Sequence, residues 1–181
     1  MSRLRKDQDT HGQRLPSVRP IRCDAADHLP AVTFPSVNPR VMSPARTFWE
    51  KAAAIHVYCA QGEFRGGDRF ARDWHDITRL DRAGFVDAAI ANRVIAQAVA
   101  RHKAIFFAEK NPYGEAIDYE AAVSCKLRLV PRDEALEVLS LDYSRMVDDG
   151  LLLDEPEPFE ELLDHCREVQ ERVNRSTSHR A

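Results

Sequence analysis

Two residues in consecutive predicted helices have side chains that could bind phosphate or support a metal ion. Lys51 lies in a helical pattern that begins at Ser43, and none of the residues three or four positions away from it is acidic. It therefore lacks the ion-pair partner that helix spacing often supplies, and its ammonium could hold a phosphate group as a point charge. Asp73 lies at the edge of the apolar stripe of the next helix, where a carboxylate could support a metal or accept a hydroxyl proton. If the two apolar stripes pack together, Lys51 and Asp73 flank a common cleft.

The charged residues around them are also compatible with an ordinary exposed helix surface. Arg69 lies four residues before Asp73, and Arg72 lies four residues before Asp76. Pairs of opposite charge at this spacing stabilise helices. Arg46 likewise has an acidic residue four positions later. The spacing alone leaves both interpretations open: a cleft that binds phosphate or metal, and a charge-paired amphipathic helix.

The sequence lacks the common motifs of phosphate loops, nucleophilic catalysis and zinc binding. His56 and His75 are single histidines near aromatic residues, which is more typical of structural histidines than of ligands. The Gly-rich loop 61–68 does not have the G-x-x-x-x-G-K-[ST] spacing of a phosphate loop, and no G-x-S-x-G occurs. The four cysteines, at positions 23, 59, 125 and 166, form no C-x-x-C pair, so we expect thiols rather than a zinc site or disulfides.

Helical periodicity and capping signals place these residues on the first two of several helices. Ser43 is a favourable N-cap, and Pro44 is a favourable first helical residue. Apolar residues then recur with a period of 3.6, and glycines or prolines mark several ends. The predicted helices cover about 44–60, 68–83, 86–106, 132–148 and 159–174, and the stretch 119–129 is ambiguous but could be helical.

The first 42 residues have a different character. Residues 1–15 are polar and without periodicity, which predicts a disordered tail. Five prolines punctuate residues 16–42, so any strands there are short and at a sheet edge. The predicted strands cover 18–21, 31–34 and 40–42. A helical domain is expected over 43–175 and a frayed tail over 176–181. The fold class is therefore α+β, predominantly helical, with a small β region near the N-terminus.

Composition and charge exclude several classes of protein. The formal net charge of −3 provides no overall basic field to attract nucleic acid, so any such contact would be local. No apolar run reaches the ~18 residues that a membrane span needs. The N-terminal residues are charged and lack the apolar segment of a signal peptide, so we expect a cytoplasmic protein.

Several stretches of the sequence match motifs of a known protein family. They are R-T-F-W-E-K-A-A-A-I-H at 46–56, R-D-W-H-D-I-T-R-L at 72–80, H-K-A-I-F-F at 102–107 and L-D-Y-S-R-M at 141–146. In this order they resemble the AbiEii/AbiGii-type nucleotidyltransferase toxins of type IV toxin–antitoxin systems. The similarity covers about residues 16–175.

This resemblance implies an enzyme of the nucleotidyltransferase fold that uses Mg²⁺ to transfer nucleotides from an NTP. In some relatives the acceptor is the 3′ end of tRNA. A cognate antitoxin is an implied partner, and phage defence is an implied role. At the matching motif positions, Lys51 would bind the triphosphate and Asp73 would have a polar catalytic role. The implied supporting or nucleotide-binding residues are Arg46, Arg72, His75 and Asp76.

One part of the family pattern is not matched. The family's first motif is a Gly-Ser turn followed by Asp-x-Asp on strands, and its carboxylates bind the metal. No Gly-Ser turn followed by Asp-x-Asp occurs here, and the 42 residues before the first helix are too few for that α/β unit. We therefore expect the C-terminal part of such a protein, inactive by itself. It could derive from a truncated gene or a misplaced start codon, or be completed by another polypeptide.

Two other interpretations are kept. The chain could be a non-catalytic helical module that binds an antitoxin or another protein. It could also be an unrelated helical domain that binds RNA through its arginines, in which case RNA binding would depend steeply on salt.

Overall fold

The computed structural model describes residues 17–18, 23–29, 31–35, 37, 39–62, 64, 68–152 and 155–178. The disordered tail predicted at 1–15 lies outside the described residues. The chain divides into two compact units, Met1–Ser43 and Pro44–Ala181.

The described part of the first unit contains one two-stranded antiparallel sheet. Strand β1 is Ser17–Val18 and strand β2 is Arg40–Val41, with Ser17 opposite Val41. A short 3-10 helix, Asp24–Asp27, lies between them in sequence. The strand predicted at 31–34 is wrong, because these residues form a turn, a bend and irregular backbone. Pro35, directly after them, has no N–H to donate to a ladder. Residues 19–21 of the first predicted strand lie outside the described residues.

The described part of the second unit is helical. Its helices are α1 (Pro44–Gln61), α2 (Arg72–Arg82), α3 (Val86–Ala91), α4 (Arg93–Phe106), α5 (Tyr119–Ser124), α6 (Asp133–Asp148) and α7 (Phe159–Ser178). The predicted fold class, α+β and predominantly helical, is therefore confirmed. Among the described residues, no helix is both long enough and apolar enough to cross a membrane.

Three predicted helix boundaries are wrong. Helix α2 begins at Arg72, because the backbone before it is irregular and Arg69 has a left-handed φ of 77°. The helix predicted over 86–106 is two helices separated at Asn92, whose side chain caps α4 by accepting from the Ile95 N–H at 3.2 Å. Helix α7 continues through Ser178, so residues 176–178 are helical rather than a tail.

Helix α1 lies at the centre of the second unit and packs against α2, α3, α4 and α5. Phe48, Trp49 and Ile55 on α1 are completely buried, as is Trp74 on α2. The indole of Trp49 donates to the Ala89 carbonyl at 3.0 Å, so it has the polar partner that a buried indole needs. The packing of α1 against α2 fixes the position of α2, and therefore of Asp73, relative to Lys51.

The ambiguous stretch 119–129 is helical only over α5, and the chain after it is irregular. Among the described residues no strand pairs with this segment, and its backbone polar groups bond to side chains of three helices instead. The Leu127 N–H bonds to Asn174, the Arg128 N–H to His56, the Leu129 N–H to Gln170, and the Leu129 carbonyl accepts from Trp74. The segment thus ties α1, α2 and α7 together.

Candidate functional site

The structure brings Lys51 into direct contact with two carboxylates of the neighbouring helix. The Nζ atom of Lys51 lies 2.6 Å from Oδ1 of Asp73 and 2.8 Å from Oδ2 of Asp76. Asp73 and Asp76 are three residues apart on α2, so both carboxylates lie on the side of the helix that faces α1. We call these three residues the Lys51 cluster.

The partner of Asp73 differs from the one that helix spacing predicted. Among the described residues, its ion-pair partner is Lys51 rather than Arg69. Lys51 lacks an acid on its own helix but gains two from α2. Neither residue is an independent charge on an exposed helix surface.

The charges of this cluster keep the lysine protonated. Burial by itself would lower the pKa of Lys51, but the hydrogen bonds and negative charges of Asp73 and Asp76 outweigh it and raise the pKa above 10.5. Tyr58, two turns further along α1, is affected as well. Burial and the nearby charge of Asp73 raise the pKa of its phenol, although the positive charge of Lys51 acts in the opposite direction.

The Lys51 cluster remains accessible to solvent. The side chains of Lys51, Asp73 and Asp76 are 27%, 21% and 31% exposed. An ammonium has three N–H donors, and the cluster uses two of them. Among the described residues the third donor has no partner, so it can donate to an anionic oxygen that approaches from solvent. With one ammonium and two carboxylates, the cluster carries a net charge of −1, which repels a phosphate group.

The four supporting residues predicted from the family motifs lie in different environments. Arg72 lies at the cluster, with its Nε atom 4.0 Å from Asp76 and its side chain 67% exposed. Its positive charge offsets the excess negative charge. Arg46 pairs with Glu50 at 3.2 Å, as the helix spacing predicted. His75, the residue directly before Asp76 on α2, is buried.

The described residues do not supply a metal site. They contain no group of three or more His, Cys, Asp or Glu side chains placed to hold one ion. The two carboxylates of the Lys51 cluster already contact an ammonium. The sequence also contains one Asp-x-Asp, at 7–9, but it lacks a preceding Gly-Ser turn and lies outside the described residues. The Mg²⁺ that the family implies therefore does not fit the donor set described here.

Asp142 on α6 is an important residue that the sequence reasoning missed. Its carboxylate accepts the N–H groups of Arg69 and Ala71, each at 2.8 Å, just before α2. A carboxylate distant in sequence thus accepts the N–H groups at the start of α2, as an N-cap side chain usually does. Its negative charge also interacts favourably with the positive end of the helix dipole. The available signal was an aspartate within the L-D-Y-S-R-M motif. Because Asp142 fixes the start of α2, it helps to position Asp73.

The remaining reactive side chains have structural roles or no role at the site. His56 accepts the Arg128 N–H through Nδ1 at 3.2 Å. Burial and the positive charge of Arg128 lower its pKa to about 4, so it is neutral at physiological pH. The four cysteines are free thiols in the structure. Burial raises the pKa of Cys59 to about 12, so this thiol is not an activated nucleophile.

An exposed apolar patch lies at the C-terminal end of α4. Glu50, the residue before Lys51, contacts Lys103 on α4 at 3.0 Å, and the Lys103 ammonium lies 4.7 Å from the centre of the Phe107 ring. Ile105, Phe106 and Phe107 are 71%, 68% and 53% exposed. We call these three residues the apolar patch. The hydroxyl of Tyr119 donates to the Phe107 carbonyl, which holds this part of the chain in place.

A helical unit with a partly exposed lysine held between two aspartates of a neighbouring helix is a candidate phosphate-binding element. The family model described as nucleotidyl transferase AbiEii toxin, type IV TA system, matches residues 12–165. The chain therefore belongs to the AbiEii family of nucleotidyltransferase toxins. No curated protein and no solved structure shows a significant similarity to it.

Proposed function

We propose that this chain contributes the triphosphate-binding part of a nucleotidyltransferase toxin that acts in the cytoplasm. Lys51 would donate its third N–H to a phosphate oxygen of an NTP, with Arg72 as a second cation. Asp73 and Asp76 would keep Lys51 protonated and would orient its ammonium toward the phosphate. The observation that carries the proposal is the contact of Lys51 with both aspartates at 2.6 and 2.8 Å on an accessible surface.

The acceptor in this proposal is the 3′ end of tRNA, as in some relatives. Since the described residues hold no metal site, we propose that the metal-binding carboxylates come from another polypeptide region. The described unit alone would then bind an NTP but transfer nothing. His75, buried one residue before Asp76, would be a supporting residue in this proposal.

Incubation of the chain with radiolabelled NTPs, Mg²⁺ and total tRNA tests the claim of inactivity. We expect no labelled tRNA above the level of a Lys51→Ala control. Incorporation that depends on both Mg²⁺ and Lys51 would support the transferase but contradict the need for a second polypeptide region.

NTP binding measured without metal, by calorimetry, tests the role of Lys51 itself. Lys51→Ala should weaken binding about tenfold, because one charge-assisted hydrogen bond to phosphate is lost. Lys51→Arg should retain part of the affinity, since it keeps the charge. Lys126→Ala, which removes an exposed lysine elsewhere, is the matched control. Equal affinities for all four proteins would refute a phosphate-binding role for Lys51.

The apolar patch favours a second function, a surface that binds a protein partner such as the cognate antitoxin implied by the family. Three consecutive apolar side chains that are more than half exposed are unusual unless a partner covers them. Ile105 is aliphatic, and a polypeptide partner is better suited to it than stacked bases.

Co-purification of the antitoxin with a tagged chain tests this surface. Phe106→Asp should reduce the recovered antitoxin strongly, because it places a charge at the centre of the apolar patch. Leu141→Asp alters an equally exposed apolar residue on α6 and should have little effect. Similar losses from both variants, or from neither, would argue against the apolar patch as the binding surface.

A further inference from the structure

A small cavity lies between α1, α5 and the chain on either side of α5. Its volume is about 240 Å³, below the ~300–1,000 Å³ of sites for drug-sized ligands, so it suits a ligand of few heavy atoms. Its lining combines one buried histidine, two cations, one carboxylate and an apolar wall. These residues are His56, Lys126, Arg128, Asp118, Ile117 and Ala121.

His56 supplies a hydrogen-bond donor to this cavity. The residue is 6% exposed, and its Nδ1 atom accepts the Arg128 N–H at 3.2 Å. A neutral imidazole that accepts at Nδ1 carries its proton on Nε2. Among the described residues nothing accepts from Nε2, and this atom is not one of the buried polar atoms that lack a partner, so it reaches the accessible surface. Since His56 lines the cavity, its Nε2–H group can donate to a ligand there.

The charged side chains of the cavity leave one net positive charge. Lys126 and Arg128 are exposed, and neither side chain forms an ion pair among the described residues. The Asp118 carboxylate accepts the Ala121 N–H at 3.0 Å and thereby caps α5. The guanidinium of Arg128 lies close enough to the His56 ring to lower its pKa, so the imidazole adds no charge. A singly charged anion would therefore balance the cavity, whereas a phosphate dianion would leave an excess negative charge.

We propose that this cavity binds a small aliphatic carboxylate. One carboxylate oxygen would accept from Nε2–H of His56, and the other would accept from the guanidinium of Arg128, whose geometry suits a carboxylate. Ile117 and Ala121 provide an apolar wall for a short aliphatic chain. Both a free acid and the C-terminal residue of a polypeptide supply such a group.

The site is independent of the proposed nucleotidyltransferase function. It shares no residue with the Lys51 cluster or the apolar patch. Its volume is too small for an NTP, so the loss of Lys126 leaves NTP binding unchanged. Failure of either proposal therefore does not decide the other.

An NMR titration of the full chain with propionate, at constant ionic strength, tests the site. The ring signals of His56 should shift with a Kd of about 1–10 mM, the affinity expected for a ligand of this size. Propionamide, which has a similar shape without the charge, should bind about tenfold more weakly or not detectably. Unchanged His56 signals up to ~100 mM propionate, or equal affinities for the two probes, would overturn the proposal.

Substitution of Arg128 tests the role of its guanidinium. Arg128→Gln should weaken propionate binding about tenfold, because one charge-assisted hydrogen bond is lost, while the backbone N–H that His56 accepts is kept. Arg132→Gln removes an exposed arginine that does not line the cavity and is the matched control. Equal losses from both variants would indicate general charge attraction and overturn the proposal. If Arg128→Gln fails to fold, the titration of the unmodified chain still decides.

N-acetylalanine distinguishes the two sources of the carboxylate, because it carries the carboxylate of a polypeptide C-terminus. Tighter binding of N-acetylalanine than of propionate supports a polypeptide C-terminus as the ligand. The reverse order supports a free acid. Failure of both to shift the His56 signals would overturn the site itself.

Discussion

The contact of Lys51 with Asp73 and Asp76 makes a quantitative prediction about stability. At 2.6 and 2.8 Å, and an effective dielectric constant of about 20, the gross attraction is ~6 kcal/mol per pair. Desolvation and side-chain ordering offset most of it, and about 1–2 kcal/mol per pair is left for partly buried groups. Lys51→Met leaves two carboxylates without their cation, so it should lower the free energy of unfolding by about 2–3 kcal/mol.

Double-mutant cycles measured by urea denaturation separate the two pairs. The coupling of Lys51 with Asp73 should be about 1–2 kcal/mol, from Lys51→Met, Asp73→Asn and the double variant. The coupling with Asp76 should be smaller, because Arg72 also lies 4.0 Å from Asp76 and partly replaces the lost cation. Couplings below about 0.3 kcal/mol for both pairs would refute the geometry on which the proposed site depends.

The pH dependence gives an independent check on the same contacts. The folded-state pKa of Lys51 is raised above its ordinary value of 10.5, because the hydrogen bonds and charges of Asp73 and Asp76 outweigh burial, so folding favours its protonated form. This contribution to stability is fully present below pH 10.5 and is lost as the pH rises through the folded-state pKa. The stability difference between the unmodified chain and Lys51→Met should therefore be constant from pH 7 to about 10 and shrink above that.

Two further predictions concern residues that support the site. Asp142→Ala should lower the unfolding free energy by about 2 kcal/mol in urea denaturation, because a buried N–H group (Ala71) and a partly buried one (Arg69) before α2 lose their acceptor. Asp142→Asn, which keeps one acceptor oxygen, should cost less, and equal stabilities for all three chains would contradict the capping role. The pKa of His56 is lowered to about 4 in the folded state, so folding favours the neutral imidazole. The resulting contribution to the free energy of unfolding is fully present above pH 6.5 and is lost as the pH falls toward 4. The unmodified chain should lose about 3 kcal/mol across that interval relative to His56→Asn, which cannot titrate, whereas parallel stability profiles would disprove the assignment.

Much of the helical architecture could be predicted because it depends on local information. The period of 3.6 and the start at Ser43–Pro44 predicted α1, and its buried residues Phe48 and Ile55 follow that stripe. The break at Asn92 was missed, since an Ala- and Val-rich stretch has the apolar periodicity of one long helix. Its interruption depends on a single capping side chain.

The start of α2 could not be predicted for a different reason. The predicted helix begins near residue 68, but the residue that accepts the N–H groups just before α2 is Asp142, 71 positions away from Ala71. Helix propensity contains no information about such a contact. The irregular segment after α5 could not be predicted for the same reason. Its hydrogen-bond partners His56, Gln170 and Asn174 come from distant parts of the sequence.

The sequence by itself determined the class of fold, the family motifs and the residue types at the candidate site. It showed that Lys51 has no acid within one helical turn, and it left open whether Asp73 pairs with Arg69. Only the tertiary structure decided that both aspartates of α2 contact Lys51. The physical reason is that the packing of α1 against α2 places three charges within hydrogen-bond distance, and the 22 positions between Lys51 and Asp73 lie far beyond the spacing that a helix pattern can relate.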